Sequence, residues 1–181
     1  EALNATVLFG TRHNRDFLVA CLEKECFAEG QATTAFIAEQ FGGEGMEELV
    51  PDFADSAVAA VLELALDHQA MYANSILVAP QLRDWASASP LVSRKQYQHS
   101  AVTHDLSVSP LGDARYQVAS DSQASIIELL SMADSIAHVA VDGTQHVARY
   151  HRPAQGRLFL SIDGRAAEYQ DLIRLDGSKD Q

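Results

Sequence analysis

A chain of 181 residues with 47% apolar side chains is long enough to bury a core, as one domain or as a small domain carrying a structured arm. Its 25 acidic residues outweigh 13 lysines and arginines, leaving a net charge of −12. That balance argues against nucleic acid and anionic membrane surfaces, because both require a cationic face to neutralise phosphate.

Lys24, Lys95 and Lys179 are scattered and make no patch, so the acidic surface is read first as a solubility feature. The two cysteines, Cys21 and Cys26, fall in a helical stretch where their side chains diverge. Neither a disulfide nor a metal site is expected from them, and free thiols fit a reducing compartment. No apolar run approaches the roughly 20 residues of a membrane span, and no basic-then-apolar signal pattern opens the chain. The chain starts on Glu1 in what reads as mid-element, from which a piece of a longer protein is expected.

Residues 1–42 form the first block. Thr6-Val7-Leu8-Phe9 reads as a short strand closed by Gly10. Asn14 is a suitable N-cap for a helix running from Asp16 through Lys24, with Phe17, Ala20, Cys21 and Lys24 at helical spacing. Gly30 stops it, and Thr34-Ala35-Phe36-Ile37 is a second apolar segment. Residues 42–51 shift to Gly, Glu and Pro and mark the boundary of a second domain, 43–181.

A long helix is predicted from Phe53 to about Tyr72, with no Gly or Pro inside it. Between Ala57 and Leu66 its only polar residue is Glu63. A helix apolar nearly all round must be enclosed, so the remaining chain is expected to wrap it. Residues 74–99, containing Trp85, are read as a long hook-like connection, a length that in compact domains is often functional.

From about residue 100 the pattern changes to period two, with a turn signal every ten residues or so. Candidate strands cover 101–109, 115–120, 125–132, 135–141, 145–150, 158–162 and 166–173, with a turn at Pro110-Leu111-Gly112-Asp113. Asp142-Gly143 and Asp163-Gly164 are strong two-residue hairpin signals. The expected fold is α+β: an antiparallel barrel of about seven or eight strands around the long apolar helix, preceded by a short strand–helix arm. Closure removes the exposed edges that such a meander would otherwise present.

Motifs that carry chemistry are missing. The sequence has no Gly-rich phosphate loop, no G-x-S-x-G elbow and no H-E-x-x-H or Cys/His cluster. The histidine pairs His99/His104 and His146/His151 have five-residue spacing, which on one strand points the two side chains to opposite faces, so no metal is expected there. Glu23 and Glu25, like Glu47 and Glu48, share no helical face and read as solvated. No catalytic, cofactor-binding or metal residue is assigned.

The stretch Leu8-Phe9-Gly10-Thr11-Arg12-His13-Asn14-Arg15-Asp16-Phe17-Leu18, then Phe27-Ala28-Glu29-Gly30 and Ala32-Thr33-Thr34-Ala35-Phe36-Ile37, resembles the end of a biotin carboxylase domain, with His13 where Thr is usual. The chain beyond this stretch resembles the middle region of the alpha subunits of propionyl-, methylcrotonyl- and geranyl-CoA carboxylases. That region has a long helix, a hook containing Trp, and an antiparallel barrel with Asp-Gly hairpins. The resemblance implies that residues 1–42 are the tail of a biotin carboxylase domain and 43–181 the subunit-docking domain. The partner would be the carboxyltransferase beta subunit, along with the remaining domains of the same alpha subunit. The parent enzyme would use ATP, Mg and biotin to carboxylate biotin with bicarbonate and then an acyl-CoA, in the bacterial cytoplasm or the mitochondrial matrix.

The family's ATP- and bicarbonate-handling residues are expected upstream of Glu1, and its biotinylated Met-Lys-Met downstream of Gln181. The resemblance therefore carries no catalytic residue onto any position here, and no catalysis is expected of the chain itself. A docking interface is expected on the barrel surface and the hook, centred on Trp85, Leu91 and Tyr97. Trp85 could equally plug one end of the barrel. The alternatives are a small-molecule-binding β-barrel, which needs an empty lumen, and an enzyme, which needs convergent titratable groups.

Overall fold

In a computed structural model, the described residues are 3, 6–11, 14–42, 50–73, 91–99 and 102–177. The helices given by the described residues are α1 (Arg15–Leu22), α2 (Glu25–Ala28), α3 (Phe36–Phe41), α4 (Phe53–Ala73) and α5 (Leu172–Gly177), and they accompany an eight-stranded sheet. The strands are β1 (Ser93–His99), β2 (Val102–Gly112), β3 (Arg115–Ala119), β4 (Ala124–Ala133), β5 (Ile136–Val141), β6 (Thr144–Ala154), β7 (Arg157–Ile162) and β8 (Arg165–Gln170). Every neighbouring pair is antiparallel and the order in the sheet is the order in the chain. The eight strands curl into a nearly closed barrel, and an isolated antiparallel bridge joins Tyr97 of β1 to Asp171, just past the end of β8.

The turns explain the register. Asp142-Gly143 and Asp163-Gly164 have positive φ at both positions, 48° and 87° in the first and 49° and 83° in the second. That is the turn geometry whose twist matches a right-handed hairpin, and Asp-Gly favours it. Two further turns, Asp113-Ala114 and Asp134-Ser135, adopt positive φ at both positions without glycine. The β2–β3 turn therefore lies at 113–114, overlapping only the last residue of the predicted Pro110–Asp113 turn, and Pro110 sits in β2 at an irregularity in the ladder. A bulge is one of the few sheet positions that tolerate proline.

Inward-facing residues alternate along each strand, as in Tyr116 and Val118, Ala137 and Val139, and Leu158 and Leu160. They form one apolar cluster with Ala57, Val58, Val61, Leu62 and Leu64 of α4, all at 9% exposure or less. In α4, residues 55–64 are buried; from Ala65 onward the side chains are half-buried or exposed, where Asp67, His68 and Gln69 enter the sequence. The helix itself is present as expected, but a long apolar helix is not: the buried stretch is ten residues, three of them polar (Asp55, Ser56, Glu63), and it stops before the last two turns.

Other expectations are corrected. Residues 6–9 do not form a strand. Asn14 precedes α1 but makes no side-chain cap. Residues 93–99, assigned to the hook, form β1 instead; its polar letters (Arg94, Lys95, Gln96, Gln98) hid the alternation, because an inward lysine does not read as core. The last strand stops at Gln170, and α5 takes the residues beyond Asp171. Trp85 and most of the hook lie outside the described residues. No helix among the described residues is long and apolar enough to cross a membrane.

Candidate functional site

The most unusual chemistry is a buried ionic cluster at the β1–β8 seam. Glu63, the lone charge between Ala57 and Leu66 of α4, is 0% exposed. A carboxylate there must find a partner. Lys95 of β1 supplies it, with Nζ 3.0 Å from Glu63 Oε2 and 2.9 Å from Asp171 Oδ2. The Tyr97 hydroxyl donates to the same Glu63 Oε2 at 2.9 Å. Asp171 Oδ1 accepts from the Ile173 amide at 3.2 Å and, more weakly, from the Gln96 amide at 3.5 Å. Glu63 Oε1 has no partner. Burial first, and the Glu63 charge second, push the Tyr97 phenol well above its ordinary range, so it is a fixed donor.

One helical turn further on, Asp67 joins Arg152 of β6 to Arg174 of α5. Burial alone would raise the Asp67 carboxyl, but the hydrogen bonds from Arg174 and Arg152 outweigh it and hold the pKa below the ordinary value. Three carboxylates (Glu63, Asp67, Asp171) therefore face three cations (Lys95, Arg152, Arg174). The arrangement ties α4 to β1, β6 and the segment after β8. With Lys95 at 3% and Glu63 at 0% exposure, no substrate reaches the inner half of it, so its chemistry is cohesive.

The barrel end where α4 begins carries a second group. Arg165 lies 3.0 Å from Asp55 and 3.6 Å from Asp52. Burial and then Asp52 raise the Asp55 carboxyl, and Arg165 offsets them only in part. The His99 and His104 rings are 6.3 Å apart, and His99 meets Tyr169 edge-on at 4.9 Å. Five-residue spacing was read as opposite faces, yet β1 ends at His99 and β2 begins at Val102, so the two histidines lie on facing strands of one hairpin. Burial, and then His104, push the His99 pKa down. A cleft of about 550 Å³ opens beside His104, lined by Asp52, Asp105, Asp121 and hydroxyl side chains. Among the described residues no group of three or more His, Cys, Asp or Glu side chains is arranged to hold a metal ion. His146 and His151 are not brought together; His146 pairs instead with Asp163 at 2.8 Å.

Of the residues expected at a docking interface, Leu91 is 73% exposed beside Val92 at 52%. Tyr97 is 0% exposed in the core and is corrected from surface anchor to ligand of Glu63. Trp85 is outside the described residues. The ionic cluster was missed in the sequence, although its signal was present: a single glutamate in a buried apolar run demands a cation elsewhere, and only three lysines were candidates for an ammonium. No family model matches the chain, and no curated protein matches it.

Proposed function

We propose that this chain is the docking module of a biotin-dependent acyl-CoA carboxylase alpha subunit, a non-catalytic scaffold that joins biotin carboxylase to the carboxyltransferase beta subunit. The observation that carries the reading is the order of elements: a 21-residue helix followed by an eight-stranded antiparallel meander that shares its core. In this reading the barrel wraps α4 as its central helix, residues 1–42 are the tail of the biotin carboxylase domain, and the hook carries Trp85 toward the partner. The exposed Leu91-Val92 pair, leading into β1, supplies apolar contact area beside it. The parent enzyme binds ATP, Mg and biotin elsewhere, and docking makes biotin delivery effectively intramolecular.

A ligand-holding barrel is the weaker reading, because Val61, Leu62, Val118, Ile127 and Leu158 are 0% exposed within one shared core. Such a barrel needs lumen space between helix and wall. The test is sedimentation of the folded chain with purified beta subunits of propionyl-, methylcrotonyl- and geranyl-CoA carboxylases. Co-sedimentation with one of them, lost in Leu91→Asp, supports docking and identifies the substrate class. Binding to none of the three rejects it.

A further inference from the structure

Phe159 is on the outward face of β7, between the inward Leu158 and Leu160, yet it is only 7% exposed. Outward apolar residues on β4 and β6 behave differently: Ile126, Leu130 and Val147 are 40–44% exposed. What covers Phe159 comes from about 150 residues earlier in the chain. The Phe9 ring stacks on it with centroids 5.8 Å apart and planes 27° apart. A Cβ at Gly10 would lie 3.9 Å from the Phe159 ring, so the backbone runs close over it. The slot is completed by His151, parallel to Phe159 at 6.5 Å, and by the Arg157 guanidinium 5.3 Å from the ring centroid.

The same segment is held at its other end. Arg15, at the start of α1 and 4% exposed, donates from Nη1 to the Thr6 carbonyl at 2.6 Å. The helices beyond it have an aromatic cluster of their own, with Phe36 against Phe27 and Phe41, and Phe17 against Phe41.

We infer that residues 6–10 form a strap whose Phe9 docks in an aromatic slot on the outer barrel wall, holding the N-terminal helical unit against the barrel. The slot suits an aromatic side chain: one ring below, an imidazole beside it and a cation near the same ring, an arrangement that favours π-stacking. The strap sets the placement of the helices on the barrel, while the barrel core does not depend on it. What larger domain those helices belong to rests on the docking-module reading; the contact itself does not.

The test uses the full chain and reads two places at once, tryptic cleavage after Arg15 and hydrogen exchange in β3–β5. Trypsin must extract Arg15 from its contact with Thr6, so cleavage reports release of the strap. Phe9→Ala is expected to speed cleavage after Arg15 about tenfold, the loss of one aromatic pair and its burial, with β3–β5 exchange unchanged. Phe159→Leu should give the same acceleration from the barrel side, and Phe9→Tyr should restore slow cleavage. The proposal is overturned by unchanged cleavage in Phe9→Ala, by Phe9→Tyr cleaving as fast as Phe9→Ala, or by β3–β5 loosening together with the strap.

Discussion

Lys95→Met removes the ammonium that joins Glu63 to Asp171 and keeps an unbranched apolar stem, one atom shorter than the lysine. The variant leaves two carboxylates at 0% and 1% exposure facing each other without their cation. Tyr97 still donates to Glu63, and the Ile173 amide still donates to Asp171, so neither acid is wholly bare. Removing one partner of a buried ion pair costs about 3–5 kcal/mol, because the remaining charge stays desolvated. An exposed pair such as Arg157–Glu168, at 46% and 39% side-chain exposure, provides the internal control; Glu168→Gln should change stability by about 1 kcal/mol at most.

Denaturant titration at neutral pH measures both, and the thermal midpoint of Lys95→Met should fall by on the order of 10 °C. The decisive variant is the triple Lys95→Met, Glu63→Gln, Asp171→Asn. With no charge left to strand, it should regain most of the lost stability, since the penalty comes from uncompensated charge more than from missing attraction. A Lys95→Met protein within about 1 kcal/mol of the parent would refute the assignment of a desolvated cluster. So would a triple variant no more stable than the single.

Leu62→Asp places an unpaired charge at 0% exposure in the core shared by α4 and the strands; it should abolish cooperative unfolding in circular dichroism melts, and a soluble, cooperatively melting variant would count against that core. Ala114 holds φ at 56° in the β2–β3 turn, a conformation that costs a residue with a Cβ about 1–2 kcal/mol. After the entropic cost of glycine, Ala114→Gly should stabilise by up to about 1 kcal/mol, and a lower denaturation midpoint would contradict it. Because the folded-state pKa of His99 lies below its ordinary value of 6.5, the unfolded chain binds the proton more readily. Stability from this group is therefore complete above pH 6.5 and declines as pH falls from there toward the folded pKa. His99→Phe should flatten the stability profile in that window, and an unchanged slope would reject the assignment.

How much of the fold was legible depended on whether a local rule was enough. Asp142-Gly143 and Asp163-Gly164 signal their hairpins alone, since Asp-Gly readily adopts the two adjacent positive φ values that such a turn needs. The helix at 53–73 was equally plain, because a long Ala/Leu/Val run without Gly or Pro has no competing local structure. Strand β1 was not legible: its inward positions are Lys95 and Tyr97, and a lysine is acceptable inside only because Glu63 and Asp171 wait there, 32 and 76 residues away. The same distance hid Tyr97, which by type alone suited a surface contact. The facing of His99 and His104 required knowing that a turn lies between them.

Sequence by itself determined the elements and turns whose energetics are local: periodicity and left-handed turn residues act over a few positions. Tertiary structure alone decided which charges are buried together, which strands meet at the seam, and that Phe159 on an outward face is covered by Phe9. Pairings of that kind are fixed by desolvation and packing between segments far apart in the chain, and no local pattern encodes them.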